Sequence, residues 1–338
     1  MLELTSLINF ILTALTAWPG EGGPLLAPGV HAHGLIGVVG FSYSIFLHFL
    51  LTPDRYGQYT PWLRRAAALL SLTLSAGALM AAPLLINTAA AGYLLTNAAL
   101  LRLFKSTAGI REDLFMGWGV FISLLCWIYL LFSLNFQTIL GLNTRLSYSL
   151  LAFSFPMSLL LFSRYVDYLD IGRRGVILTA LVLIGGVLSL FAGMLTGLTP
   201  LEIISATFLL VLIAAYLRQA LIGRDLWLTT AFIGLLLTGL SGVWHLLAYK
   251  SGYGQEIVII KGAHAHLAHF AWATLGVYIL LLREEGKPEK IMTASLPLWA
   301  SLALLVTHIC TAVYWLLPAA TVLFLLSAMV PARRLLKM

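Results

Sequence analysis

The sequence predicts an all-α, polytopic integral membrane protein of about 12 transmembrane helices, and three observations predict it. First, 60% of the 338 residues are hydrophobic, only 10% are charged, and mean hydropathy is +0.96, whereas soluble chains run near 25% charged. Second, apolar runs follow one another at lengths of roughly 17–25 residues, the length that crosses hydrocarbon at about 1.5 Å rise per residue. Third, the basic residues fall in alternate connections, as topology signals do. The formal net charge of +7 is therefore read as a topology signal rather than as a nucleic-acid surface.

The predicted spans are about 2–18, 31–51, 66–86, 88–104, 115–134, 146–163, 175–197, 201–222, 226–248, 261–282, 292–316 and 318–332. The fourth and the last are short. Pro83 and Pro318 are expected to kink helices or to lie in the turns between them. The first run follows Met-Leu-Glu with neither a basic n-region nor a small-residue cleavage site, so it reads as a retained span. No linker or low-complexity tract interrupts the series, which makes residues 1–338 a single transmembrane helical domain. With both termini cytoplasmic, only Arg145, Lys250 and Lys261 of the 20 Lys and Arg lie outside, a strong positive-inside bias. The composition makes the chain a multi-pass membrane protein, and its expected place is a prokaryotic cell membrane. Cys126 and Cys310 both fall in apolar runs, so no disulfide framework or four-cysteine metal site is expected.

A short pattern occurs twice. Val30-His31-Ala32-His33-Gly34 opens the second span and Ala263-His264-Ala265-His266-Leu267 opens the tenth. Histidine inside a membrane helix is costly and marks function by default. By the predicted topology His31, His33, His245, His264, His266, His269 and His308 gather near the outer face, from four helices, and of the 8 histidines only His48 lies on the inner side. Residues two apart on a helix point about 200° apart. One His-Ala-His cannot grip a single ligand with both rings, but it can serve two cofactors on opposite sides of its helix. Imidazoles from spans two and ten at matching depth suit a planar macrocycle, and bis-histidine haem is the candidate. His269, His308 and His245 are further ligands or outer-shell partners; taken singly, His245 and His48 fit an ordinary interfacial or hydrogen-bonding role. Trp18, Trp244, Trp299 and Trp315 fit an aromatic belt. Gly34, Gly37, Gly40 and Gly276 are expected to admit close helix approach.

The stretch Ala27-Pro28-Gly29-Val30-His31-Ala32-His33-Gly34-Leu35-Ile36, together with His264-Ala265-His266, resembles helices two and ten of the haem-copper oxidase and nitric oxide reductase large subunits. Helix number, orientation and leaflet agree with that family. The chain also resembles the NnrS family of nitric-oxide-response membrane haem proteins, which carry an early His-Ala-His after their first span. The resemblance implies His33 and His266 as axial ligands of a low-spin haem, His264 as ligand of a second haem, and haem b as cofactor. The oxidases take copper ligands from helices six and seven, yet 146–164 and 175–197 contain no histidine, so a standard copper centre is not expected.

All 13 acidic residues fall in loops or at span ends, and pumps and ion-coupled carriers need an intramembrane carboxylate. Glu21, Glu202 and Glu256 read as solvated outer-loop charge. Asn97, Met157 and Tyr278 read as packing or interhelical hydrogen bonding. The expected function is electron transfer in a respiratory, quinol-linked membrane complex, with other subunits of that complex and a quinol or cytochrome donor as partners, in a lipid bilayer and without nucleic acid. Two alternatives stand beside it. One is a nitric oxide or oxygen reductase-like oxidoreductase using an open haem held by His264 or His31. The other is a cofactor-free membrane anchor subunit or carrier.

Overall fold

The computed structural model describes residues 1–16, 29–106, 110–136, 138–139, 142–143, 146–252, 262–284, 286, 289–311 and 313–336. Helices dominate because an apolar chain in lipid must satisfy each backbone group within its own helix. Among the described residues ten helices are long and apolar enough to cross a membrane: Ala32–Leu50, Pro83–Leu103, Glu112–Asn135, Ser149–Tyr168, Arg173–Thr196, Thr199–Ile222, Leu226–Ala248, Gly262–Arg283, Glu289–Thr311 and Leu316–Leu335. Two further helices occupy the places of the remaining predicted spans. Leu2–Thr16 is apolar but short, and Thr60–Leu79 carries Arg64 and Arg65. The one strand pairing described is a two-residue hairpin, with Thr138 opposite Asn143 and Ile139 opposite Leu142.

Four boundaries differ from the expectation. The third helix runs Thr60–Leu79 rather than 66–86. Pro83 lies at the turn between helices, one of its two expected places, and so starts the fourth helix at Pro83–Leu103 rather than at 88, where its missing N–H costs nothing. The span expected at 146–163 is two pieces, Leu146–Ala152 and Ser154–Tyr168. The eleventh is Glu289–Thr311, ending well before 316, and Pro318 sits in the first turn of Leu316–Leu335.

Contacts group the chain into two compact units, one of residues 1–166 with 194–197 and one of 167–193 with 198–337. In the first unit, Leu2–Thr16 packs against the histidine helix 29–50, which in turn packs against Thr60–Leu79. An aromatic cluster fills its interior. Tyr93 and Trp127 stack at 4.3 Å, and Tyr43 and Phe153 meet Trp127 edge-on at 5.5 and 4.7 Å. In the second unit, Leu226–Lys250 packs against the histidine helix 262–284, and Glu289–Thr311 pairs closely with Leu316–Leu335.

Both histidine helices widen just after their motif. Leu35–Tyr43 and Leu267–Thr274 are π-helical, a form that is rare and concentrates at functional sites. A π segment loosens the carbonyl ladder, and in lipid the freed oxygens need other donors. The first unit supplies them. Asn9 Nδ2 donates to Gly40 O at 3.0 Å, Ser71 Oγ donates to the same oxygen at 3.2 Å, and Ser42 Oγ donates to Gly37 O at 3.4 Å.

Candidate functional site

The first histidine helix is held by the helix before it. His33 Nδ1 lies 3.0 Å from the backbone oxygen of Thr13. Thr16 Oγ1, whose shorter hydrogen bond goes to Leu12 O at 2.8 Å, shares its proton with that same oxygen at 3.2 Å and lies 3.4 Å from His33 Nδ1. Carbonyl, hydroxyl and imidazole thus close a triangle. Because a carbonyl oxygen only accepts, Nδ1 carries the proton, and in the neutral ring the lone pair is then on Nε2. Gly37 makes the approach possible: a Cβ there would come within 2.9 Å of Thr13 Cγ2.

The second unit builds the same triangle with His264. Its Nδ1 lies 2.9 Å from Thr238 O, Ser241 Oγ donates to Thr238 O at 2.9 Å, and Ser241 Oγ lies 3.2 Å from His264 Nδ1. Here the room comes from the preceding helix. A Cβ on Gly242 would stand 2.9 Å from His264 Cε1, and one on Gly234 would stand 2.4 Å from Ala271 O. Gly234, Thr238 and Gly242 recur every four residues, the small-residue spacing of a close helix contact in membranes.

The remaining histidines are held differently. His266 Nδ1 turns back on its own helix, 2.8 Å from Gly262 O, and its ring faces Phe270 at 6.0 Å. His269 also lies 6.0 Å from Phe270. His308 Nδ1 is 3.1 Å from Val313 O, in the connection to the next helix. His245 lies close enough to His264 for their charges to interact. The side chain of His31, Trp18, Glu21 and Glu256 lie outside the described residues. Among the described residues no three His, Cys, Asp or Glu side chains converge as a metal-binding group.

Imidazoles fixed through Nδ1 fit a metal ligated through Nε2, because a second hydrogen bond of this kind sets ring orientation and raises ligand basicity. Haem iron asks for one such nitrogen on each axial side, so isolated, individually oriented imidazoles suit it better than they suit a bare ion needing three or four converging ligands.

At the end away from the motif, each helix pair is closed by a carboxylate contact. At the start of Leu2–Thr16, Glu3 Oε1 is 3.2 Å from His48 Nδ1 and 3.2 Å from Arg64 Nη1. In the second unit Asp225, just before Leu226–Lys250, pairs with Arg283 at the end of the histidine helix. His48 keeps the hydrogen-bonding role expected of it, 3% exposed and set against the Glu3 carboxylate. Nearby, Arg55, 2% exposed, binds Glu112 at 2.7 Å and Asp113 at 3.1 Å. Glu202 corrects an expectation. It is only 3% exposed, packed against Gly193 in the first turn of Thr199–Ile222, where a carboxylate is favoured by the helix dipole. Sequence spacing did not reveal these partners, because each joins residues from different helices. Asn97 and Tyr278 fulfil their expected interhelical role: Tyr43 Oη donates to Asn97 Oδ1 at 2.7 Å, and Tyr278 Oη meets Ser327 Oγ at 2.9 Å.

No protein-family model, no curated protein and no solved structure matches the chain, so the chemistry of the site is argued from its own residues.

Proposed function

We propose that this chain is a twelve-span protein of a prokaryotic cell membrane, both termini cytoplasmic, that holds b-type haem near the outer face and carries electrons within a quinol-linked respiratory complex. The single observation that carries the reading is the repeated pinning of an imidazole through Nδ1, in two helices that begin with the same His-Ala-His motif. An imidazole that donates through Nδ1 carries its lone pair on Nε2, the tautomer and orientation that an axial ligand needs. His33, His264 and His266 are the proposed iron ligands, with His31 beside them by motif. In this reading the carbonyls of Thr13, Thr238 and Gly262 hold the proton on Nδ1 and aim Nε2. Haem would supply one-electron chemistry, with a potential set by axial ligands, hydrogen bonds and burial. Twelve spans are supported by the ten long apolar helices together with Leu2–Thr16 and Thr60–Leu79, and the orientation by the charge asymmetry of the connections.

The visible spectrum of purified protein tests the reading. A sharp reduced α-band is expected in the wild type and is lost in His33→Ala and in His266→Ala. A featureless trace in the wild type leaves the anchor or carrier reading standing instead. A shift on adding carbon monoxide reports an open iron position and moves the assignment to a nitric oxide or oxygen reductase.

A further inference from the structure

The two imidazole triangles share a detail that neither motif nor spacing announces. In each, the carbonyl that accepts the imidazole Nδ1–H belongs to a threonine of the preceding helix, and a hydroxyl three residues later on that helix reaches the same oxygen, Ser241 at 2.9 Å and Thr16 at 3.2 Å beside a shorter bond to Leu12 O at 2.8 Å. The hydroxyls are Thr16 and Ser241. The surroundings repeat as well. Each histidine helix continues into a π segment, each is closed at its far end by a carboxylate at the start of the preceding helix, and each sends a tyrosine hydroxyl to the second helix that follows. The equivalence selects the second histidine of the first motif and the first histidine of the second. Hydrogen-bond geometry therefore matches His33 with His264, a register different from that of the two motifs aligned residue for residue.

We infer that Thr16 and Ser241 are positioning residues that weaken the imidazole–carbonyl bond and so set the electron affinity of whatever iron His33 and His264 ligate. This rests on the haem reading above. Carbonyl basicity is limited: an oxygen already receiving the hydroxyl proton accepts the imidazole N–H less strongly. A weaker Nδ1–H···O bond leaves the ring less imidazolate-like, a poorer donor to ferric iron, and the reduced state is favoured. The hydroxyl oxygen, at 3.4 Å in the first unit and 3.2 Å in the second, is the more distant acceptor for Nδ1–H, so donation to the carbonyl is its larger effect. Ser and Thr commonly bond back to a carbonyl of the preceding turn. What is particular here is that this carbonyl already serves an imidazole, in both units.

The test is a redox titration of the full-length protein in detergent, followed by its α-band. Thr16→Val keeps the shape of the side chain and removes the hydroxyl, and Ser241→Ala does the same with a small loss of volume. Ser241→Ala is expected to lower the midpoint potential and to cut the reduced-to-oxidised ratio severalfold at fixed ambient potential, and Thr16→Val to do the same by less, because Thr16 gives the larger share of its proton to Leu12 O. Thr16→Ser and Ser241→Thr keep the hydroxyl and are expected to restore the wild-type value, which separates the proposed effect from general loosening. Potentials that stay unchanged or rise in both hydroxyl-free variants overturn the inference while the haem reading stands. A wild-type protein without a haem band overturns both.

Discussion

The two histidine helices reach one hydrogen-bonded arrangement by different packing. In the first unit the glycines that allow close approach, Gly37 and Gly40, lie on the histidine helix, and the helix before it supplies the bulkier Thr13 and Asn9. In the second unit the glycines, Gly234 and Gly242, lie on the preceding helix, and the histidine helix supplies His264 and the Ala271 backbone. The π segments differ too. Polar side chains take up the Gly40 carbonyl in the first, whereas in the second the buried hydroxyl of Thr274 has no hydrogen-bond partner. What the two share is the imidazole held at one end and a carboxylate of the preceding helix's start at the other. The pinned ring is thus the feature both units preserve, and the interhelical filling around it is what varies.

Substitutions can break that comparison in order of size. The largest effect is expected from Asn9→Leu, because Asn9 donates to Gly40 O and to Ser71 Oγ and accepts from Ser75 Oγ. Leaving those buried groups unsatisfied is expected to cost roughly 3 kcal/mol, read as a fall in melting temperature in detergent. An unchanged melting temperature would mean that the first π segment needs its donors no more than the second does. Next comes glycine replacement on the two sides. Gly234→Ala drives a methyl group against the Ala271 backbone, which cannot turn away, and should cost about 2 kcal/mol. Gly37→Ala sets a methyl group against Thr13 Cγ2, which can turn away only by giving up the Thr13 Oγ1 bond to Asn9 O, and should cost about 1 kcal/mol. Equal losses would refute the claim that the two approaches are built from opposite partners. The smallest difference is expected between Tyr43→Phe and Tyr278→Phe. Each removes one buried interhelical hydrogen bond, and each should cost about 1 kcal/mol.

Much of this architecture was legible in the residues. Apolar length placed the spans, and Asn97 and Tyr278 fall in them as interhelical hydrogen-bonding groups, as expected from polar residues facing a bundle. Gly34, Gly37 and Gly40 were readable as close contacts, and a Cβ added at each would stand only 2.8–3.1 Å from a neighbouring side chain. Gly234-x3-Thr238-x3-Gly242 carried the same signal on the facing helix of the second unit and pointed to the contact face of His264. Other features left no local trace. The break at Phe153 interrupts an apolar stretch without any change in hydropathy, whereas the turn at Met80–Ala82 was marked by Pro83, since the residue before a proline leaves the α region. Glu202 looked like loop charge because it lies one turn into its helix, yet the approach of Gly193 buries it.

Composition and spacing alone dictated a membrane protein of helices with histidines near one end of two of them, because lipid admits only segments that satisfy their own backbone and excludes imidazoles that have no use. The identity of the acceptor for each Nδ1 was beyond their reach. Thr13 and His33 are 20 residues apart and Thr238 and His264 are 26 apart, on different helices, and only the way those helices pack brings a carbonyl, a hydroxyl and a ring to one point.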